Sequence, residues 1–106
     1  MNKIFINKET IENILSDLNI PKKLKGFSML AAAIIFTAEN CKYEKSIICT
    51  AEKFATTPKR AEAFMKYAIE SAARHNEICC NFVNSCKKES LVSDFIKYVI
   101  GLIAEK

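Results

Sequence analysis

Glycine and proline are nearly absent from this sequence, which has two of each in 106 residues. A β-sandwich or β-barrel needs a turn signal about every 8–12 residues, so the shortage of turn residues argues against both classes. Half of the residues are apolar and 26% are charged, which is the composition of a globular protein. The sequence therefore predicts one all-α domain over residues 1–106, with about six helices around a single core.

The charge and the N-terminus bear on where the protein acts. A net charge of +4 fits nucleic acid, a membrane surface or neither, and does not decide between them. Residues 1–7 lack the apolar segment and cleavage site of a signal peptide. The longest apolar run, residues 29–36, is far shorter than the ~20 residues that span a bilayer. We expect a cytoplasmic protein that does not bind membranes.

The cysteines do not predict a disulfide framework, because their number is odd, no CxxC pair occurs and no secretion signal accompanies them. An alternative is a metal site built from His75, Cys79, Cys80 and Cys86. Adjacent Cys79 and Cys80 point about 100° apart on a helix, and structural zinc prefers paired spacings. We therefore expect buried, reduced thiols, with no metal and no cofactor. The five cysteines are Cys41, Cys49, Cys79, Cys80 and Cys86.

Helical periodicity and capping residues divide the chain into six predicted helices. Asn7 is the predicted N-cap of the first, and Asn19 is suited to the left-handed conformation after it. Gly26 predicts a break before the second helix. This helix is apolar nearly all round, so we predict that it is central. Ser90 is a candidate cap for the last. The predicted ranges are 8–18, 27–39, 45–54, 58–74, 77–86 and 91–104.

The stretch from about residue 46 to 74 has the layout of a helix-turn-helix, with a short helix, a tight turn and a long helix. Thr57 followed by Pro58 predicts the start of the long helix, since a hydroxyl N-cap and a proline at the first helical position both favour it. Ala51 leaves room for the two helices to approach. Ala55 stands where such a turn often has glycine.

The long helix has one apolar and one charged side at 100° per residue. The predicted buried stripe is Ala61, Phe64, Met65, Ala68 and Ala72. Opposite it lie Lys59, Ala63, Lys66 and Glu70, with Arg60 and Glu62 on the flanks. Arginine can read guanine and glutamate can accept from cytosine, so the pattern predicts a recognition helix over about 58–74 in the major groove. Thr56 and Thr57 suit a phosphate at the helix N-terminus. A helical hairpin that only packs is the alternative.

Catalytic signals are missing from the sequence. It has one histidine, no Gly-rich phosphate loop and no nucleophile–base motif. We predict that the protein is not an enzyme.

Five short segments, in the same order, resemble the C-terminal DNA-binding domain of the stage zero sporulation protein A family, the response regulators that start sporulation. The resemblance as a whole extends over roughly residues 10–104. The segments are ILSDLNIP at 14–21, LKGF at 24–27, AEKFATT at 51–57, RAE at 60–62 with AIE at 68–70, and SDFI at 93–96.

The resemblance implies a six-helix effector domain that binds a short promoter element and regulates transcription. It implies that Arg60 and Glu62 read bases, within a predicted base-reading set of Lys59, Arg60, Glu62, Ala63 and Lys66. Predicted phosphate contacts are Thr56, Thr57, Lys53 and Tyr67. The expected partner is double-stranded DNA.

Departures from the family qualify this expectation. The family has arginine at the positions of Ala63 and Lys66 and histidine at that of Tyr67, and its members are about five residues longer around 41–46. A phosphorylated receiver domain, which drives pairing in the family, is not expected here. We therefore expect a monomer or weak homodimer that pairs on DNA, with the last helix as a contact. The alternative is an interaction module or antagonist of the same fold, acting on RNA polymerase or a related regulator.

Overall fold

Six α-helices pack together in a computed structural model of the protein, which describes residues 7–39, 42–87 and 89–104. They are α1 (Lys8–Asp17), α2 (Lys25–Ala38), α3 (Tyr43–Lys53), α4 (Pro58–Ala73), α5 (Glu77–Ser85) and α6 (Leu91–Ala104). No β-strand occurs in these ranges. The predicted all-α class with about six helices is confirmed.

Helix α2 lies at the centre of the helix cluster, as its sequence predicts. Residues 29–34 are all buried, and the helix contacts α1, α3, α4 and α6. A helix that is apolar nearly all round requires neighbours on every side, and these four helices provide them.

The ends of α1 follow the predicted capping chemistry. The Asn7 side chain accepts a hydrogen bond from the Thr10 N–H at 2.7 Å. Asn19 has a φ of 65°, and the Ile20 N–H donates back to the Leu15 carbonyl at 3.0 Å. This is a Schellman motif, in which a left-handed residue lets the chain satisfy the last carbonyls of the helix.

The prediction that Gly26 breaks the chain before α2 is wrong. Helix α2 begins at Lys25 and runs through Gly26. A Cβ atom at Gly26 would lie 2.3 Å from the Phe64 carbonyl oxygen and 2.7 Å from the Ala68 Cβ. The glycine is therefore a packing residue, because only a hydrogen fits where α2 crosses α4.

The other predicted boundaries differ by small amounts. Helix α3 begins at Tyr43 rather than residue 45, and α1, α2, α3, α4 and α5 each end one residue early, whereas α6 matches its predicted range. The Ser90 hydroxyl donates to the Lys87 carbonyl at 3.3 Å, while the Ser90 carbonyl accepts from the Asp94 N–H at 2.8 Å.

The apolar side of α6 is part of the core of the chain itself. Its side chains pack against α2, α4 and α5. Phe95 is fully buried and meets the Phe82 ring edge-on, with ring centroids 5.7 Å apart. The stripe that made α6 a candidate pairing helix is therefore already covered. Its buried residues are Leu91, Val92, Phe95, Ile96, Val99 and Ile103.

Candidate nucleic-acid interface

Helices α3 and α4 are joined by a tight turn whose backbone is fixed by hydrogen bonds. Ala55 has a φ of 54°, so it adopts the left-handed conformation that glycine usually takes. The Thr56 N–H donates to the Ala51 carbonyl at 2.9 Å, and the Ala55 N–H donates to the Glu52 carbonyl at 3.2 Å. These two bonds form a second Schellman motif, which ends α3 and redirects the chain into α4.

Helix α4 begins where the sequence predicts. The Thr57 side chain accepts a hydrogen bond from the Arg60 N–H at 3.2 Å, and Pro58 occupies the first helical turn. The cap and the proline together fix the direction of α4 as it leaves the turn. The predicted N-cap is confirmed.

The buried side of α4 is made mostly of small residues. Ala61, Met65, Ala68 and Ala72 are buried as predicted, and Ile69 joins them. Phe64 was predicted to be in this stripe, and that prediction is wrong, since 38% of its surface is exposed. Gly26 packs against the Phe64 backbone, so the two helices are too close for the ring to lie between them.

Three of the five predicted base-reading residues lie exposed on the side of α4 that faces away from the core. Lys59, Arg60 and Ala63 are exposed, while Glu62 and Lys66 are half-buried. The first turns of α4 therefore present two cations and a methyl group to solvent, with a carboxylate at their edge.

The predicted phosphate-binding residues flank this face. Lys53 is exposed at the end of α3, and Thr57 is exposed at the start of α4. Thr56 between them is half-buried. Tyr67 is 58% exposed, on the second half of α4.

Glu62 has a partner within the chain. The Tyr43 hydroxyl, at the start of α3, donates a hydrogen bond to Glu62 Oε2 at 2.5 Å. Burial raises the pKa of the Tyr43 hydroxyl well above its usual range, and the neighbouring Glu62 and Glu44 carboxylates raise it further. The phenol therefore remains a donor even at the alkaline pH where an exposed tyrosine ionises. Helical periodicity does not reveal this contact, because it joins residues 19 apart in the sequence.

A basic groove lies beside the N-terminal half of α4 and was not predicted. It has a volume of about 300 Å³ and is lined by residues of α2, the turn and α4. Lys25 holds its ammonium group 5.7 Å from the centroid of the Phe64 ring, on the same groove as Arg60. Lys22, Lys23 and Lys25 form a basic cluster in the sequence around the start of α2, and of these only Lys25 lines the groove. The lining residues are Lys25, Met29, Phe54, Ala55, Thr56, Arg60 and Phe64.

The described cysteines differ in how far they are buried. Cys79 is fully buried, and its thiol contacts the Leu18 carbonyl at 3.5 Å. Burial raises the pKa of the Cys79 thiol to about 11. Cys49, Cys80 and Cys86 are half-buried, so the expectation of buried thiols holds fully for Cys79 alone, and Cys41 lies outside the described residues.

Neither a metal-binding cluster nor a membrane-spanning helix occurs in the described ranges. Residues 7–39, 42–87 and 89–104 contain no group of three or more His, Cys, Asp or Glu side chains arranged to hold a metal ion. No helix in the same ranges combines the length and the apolar character that crossing a membrane requires.

Comparison with known proteins identifies the family. The protein-family model described as "Sporulation initiation factor Spo0A C terminal" matches residues 11–103, nearly the whole chain. No solved structure matches the chain. The matched family is one of DNA-binding domains and not of enzymes. The predicted resemblance is confirmed, and the chain belongs to the family of the C-terminal domain of the sporulation initiation factor Spo0A.

Proposed function

We propose that the protein is a sequence-specific DNA-binding regulator of transcription that inserts α4 into the major groove. The observation that carries this proposal is the division of α4 between a fully packed side and an exposed basic side. Ala61, Met65 and Ala68 anchor the helix, while Lys59 and Arg60 extend from its first turn. The major groove accepts an α-helix, and recognition helices contact base edges with their N-terminal residues.

The base-reading roles follow from the chemistry of each side chain. Arg60 carries the planar donor fork that pairs with guanine O6 and N7, and Lys59 and Lys66 provide further donors. Glu62 is suited to accept from a cytosine amino group. Ala63 offers only a methyl group, which is suited to contact with the methyl group of thymine.

The residues around the turn hold the DNA backbone in this proposal. Lys53, Thr56, Thr57 and Tyr67 contact phosphates on the two sides of the groove. Lys25 joins them, since it lines the same groove as Arg60 and holds its ammonium 5.7 Å from the Phe64 ring centroid. Such contacts fix the register of a protein on the duplex without reading sequence.

We propose that the helix-turn-helix comprises α3, the turn and α4, within a single DNA-binding domain. We also propose that the protein is a monomer or weak dimer in solution and pairs on DNA. The apolar side of α6 is already buried, which leaves α6 little apolar area for a tight dimer. Sedimentation without DNA should show a monomer at low micromolar concentration, and a tight dimer there would contradict the proposal.

An interaction module of the same fold is the second candidate. Large apolar side chains are exposed on both helices of the unit, including Ile48 on α3 at 48% and Tyr67 on α4. Aromatic residues such as Tyr67 are enriched at protein interfaces relative to the rest of the surface. The candidate partners are RNA polymerase and a related regulator.

Fluorescence anisotropy on promoter-derived and random duplexes separates the two candidates. A DNA-binding protein should bind both duplexes at about 50 mM salt and lose affinity steeply by about 200 mM, because lysine and arginine displace counterions. Tighter binding to one promoter element would support sequence-specific reading. Absence of binding at the lower salt concentration would contradict the proposal and favour the interaction module.

A further inference from the structure

The hydrogen bond between Tyr43 and Glu62 links the two helices of the helix-turn-helix. Tyr43 is half-buried at the first position of α3, and Glu62 is half-buried in the second turn of α4. Within the described part of the chain, no other side-chain hydrogen bond joins these two helices. The contact therefore ties the start of α3 to the flank of α4.

The chemistry of this bond makes it a strong orienting contact. The Tyr43 hydroxyl approaches Glu62 Oε2 at 2.5 Å, within the range of hydrogen bonds from a hydroxyl to a charged carboxylate. A tyrosine hydroxyl is protonated at neutral pH, and the raised pKa of Tyr43 extends its role as a donor to higher pH. The bond occupies Oε2, so the second oxygen of the carboxylate can accept from another donor.

We propose that Tyr43 is a positioning residue that holds the Glu62 carboxylate in the orientation that accepts from a cytosine amino group. The inference rests on the proposed function. A glutamate side chain has several rotatable bonds, and ordering them on binding weakens a contact. Because Tyr43 orders them in the free protein, the contact with DNA forms without that cost. Tyr43 then determines discrimination at one base pair without touching DNA.

The test compares variants at every base pair of one binding site. Selection from randomised duplexes first gives the site that the parent protein prefers. Dissociation constants are then measured for each single base-pair change with the parent, Tyr43→Phe, Glu62→Gln and the double variant. Tyr98→Phe is the matched control, since Tyr98 is also a half-buried tyrosine. It lies on α6, where its ring packs against that of Phe82 with the ring centroids 5.2 Å apart.

We expect Tyr43→Phe to reduce the preference for cytosine about 3- to 10-fold at the base pair where Glu62→Gln acts. The other base pairs and the salt dependence should not change, and the double variant should resemble Glu62→Gln alone. Tyr98→Phe should match the parent at every base pair. Because Glu62 is only half-buried, water can replace the lost donor. We therefore expect Tyr43→Phe to fold. Circular dichroism, recorded at a temperature below the midpoint of thermal unfolding, checks this.

Three results would overturn the inference in distinguishable ways. If Glu62→Gln changes base preference and Tyr43→Phe does not, the hydroxyl is only structural and the inference fails while the proposed function stands. If Tyr43→Phe weakens all sites equally, it acts on stability or docking and the inference fails in the same way. If the parent protein binds no DNA at about 50 mM salt, the proposed function and the inference fail together.

Discussion

Helices α4 and α6 are similar in length, 16 and 14 residues, and both are amphipathic, yet they bury different side chains. Helix α6 buries large aliphatic and aromatic residues such as Phe95. Helix α4 buries three alanines along with Met65 and Ile69. Small residues bury less apolar area, but they let helices approach closely. The comparison indicates that α6 mainly supplies stability, whereas α4 is held close and leaves its outer face available for a ligand.

The largest expected effect comes from truncating the side chain at the centre of α6. Phe95→Ala should lower the free energy of unfolding by about 3–5 kcal/mol, because it removes a fully buried ring and leaves a cavity. Chemical denaturation measures this loss. Lys97→Ala, at an exposed position on the same helix, should stay within about 0.5 kcal/mol. If Phe95→Ala were as stable as Lys97→Ala, the claim that α6 mainly supplies stability would be contradicted.

The next effect concerns the close approach of α2 and α4. Gly26→Ala should lower the free energy of unfolding by about 1–3 kcal/mol, since the added methyl meets the Phe64 carbonyl and the backbone must shift. Gly101→Ala is the matched control, because nothing lies within 4 Å of its Cβ position on α6. It should stabilise the protein by about 0.5–1 kcal/mol. Thermal unfolding of both variants checks the comparison, and a stabilising Gly26→Ala would contradict the observed packing.

Much of the fold could be predicted from local sequence, because caps and periodicity act over a few residues. Thr57 with Pro58, Asn7 and Asn19 fix helix ends through their immediate neighbours, and those predictions are confirmed. The exposure of Phe64 could not be predicted in this way. It depends on how closely Gly26 approaches α4, which only the packed fold determines.

The candidate site shows the same limit. The outward side of α4 follows from its 100° periodicity, so Lys59, Arg60 and Ala63 could be located from sequence. Tyr43 and Lys25 could not, because each reaches the site from another helix. A helical wheel describes one helix at a time and carries no information on such contacts.

A smaller effect should separate the charges near α4 from those on α6. Lys25→Ala should weaken binding to all duplexes about equally and reduce the slope of log affinity against log salt by roughly one, if it contacts one phosphate. Anisotropy titrations at several salt concentrations measure the slope. Lys97→Ala on α6 should leave it unchanged. Equal slopes for both variants and the parent would exclude Lys25 from the interface.

The smallest effect concerns the turn that leads into α4. Ala55→Gly should raise the free energy of unfolding by about 0.5–1 kcal/mol, because the left-handed conformation costs alanine about 1–2 kcal/mol and glycine's greater freedom when unfolded offsets part of the gain. Ala63→Gly, at an exposed position in the middle of α4, should instead lower the free energy of unfolding by about 1 kcal/mol. Urea denaturation gives both values. Destabilisation of similar size in both variants would show that Ala55 is not strained.

The central claim is that the exposed face of α4 reads DNA sequence, and Arg60→Ala tests it most directly. Arg60 is exposed, so the variant should fold with a stability within about 0.5 kcal/mol of the parent. Anisotropy titrations on the preferred duplex should show a loss of about 1–3 kcal/mol in binding free energy, and a much smaller loss on random duplexes. A folded Arg60→Ala variant with parental affinity for the preferred duplex would contradict the claim.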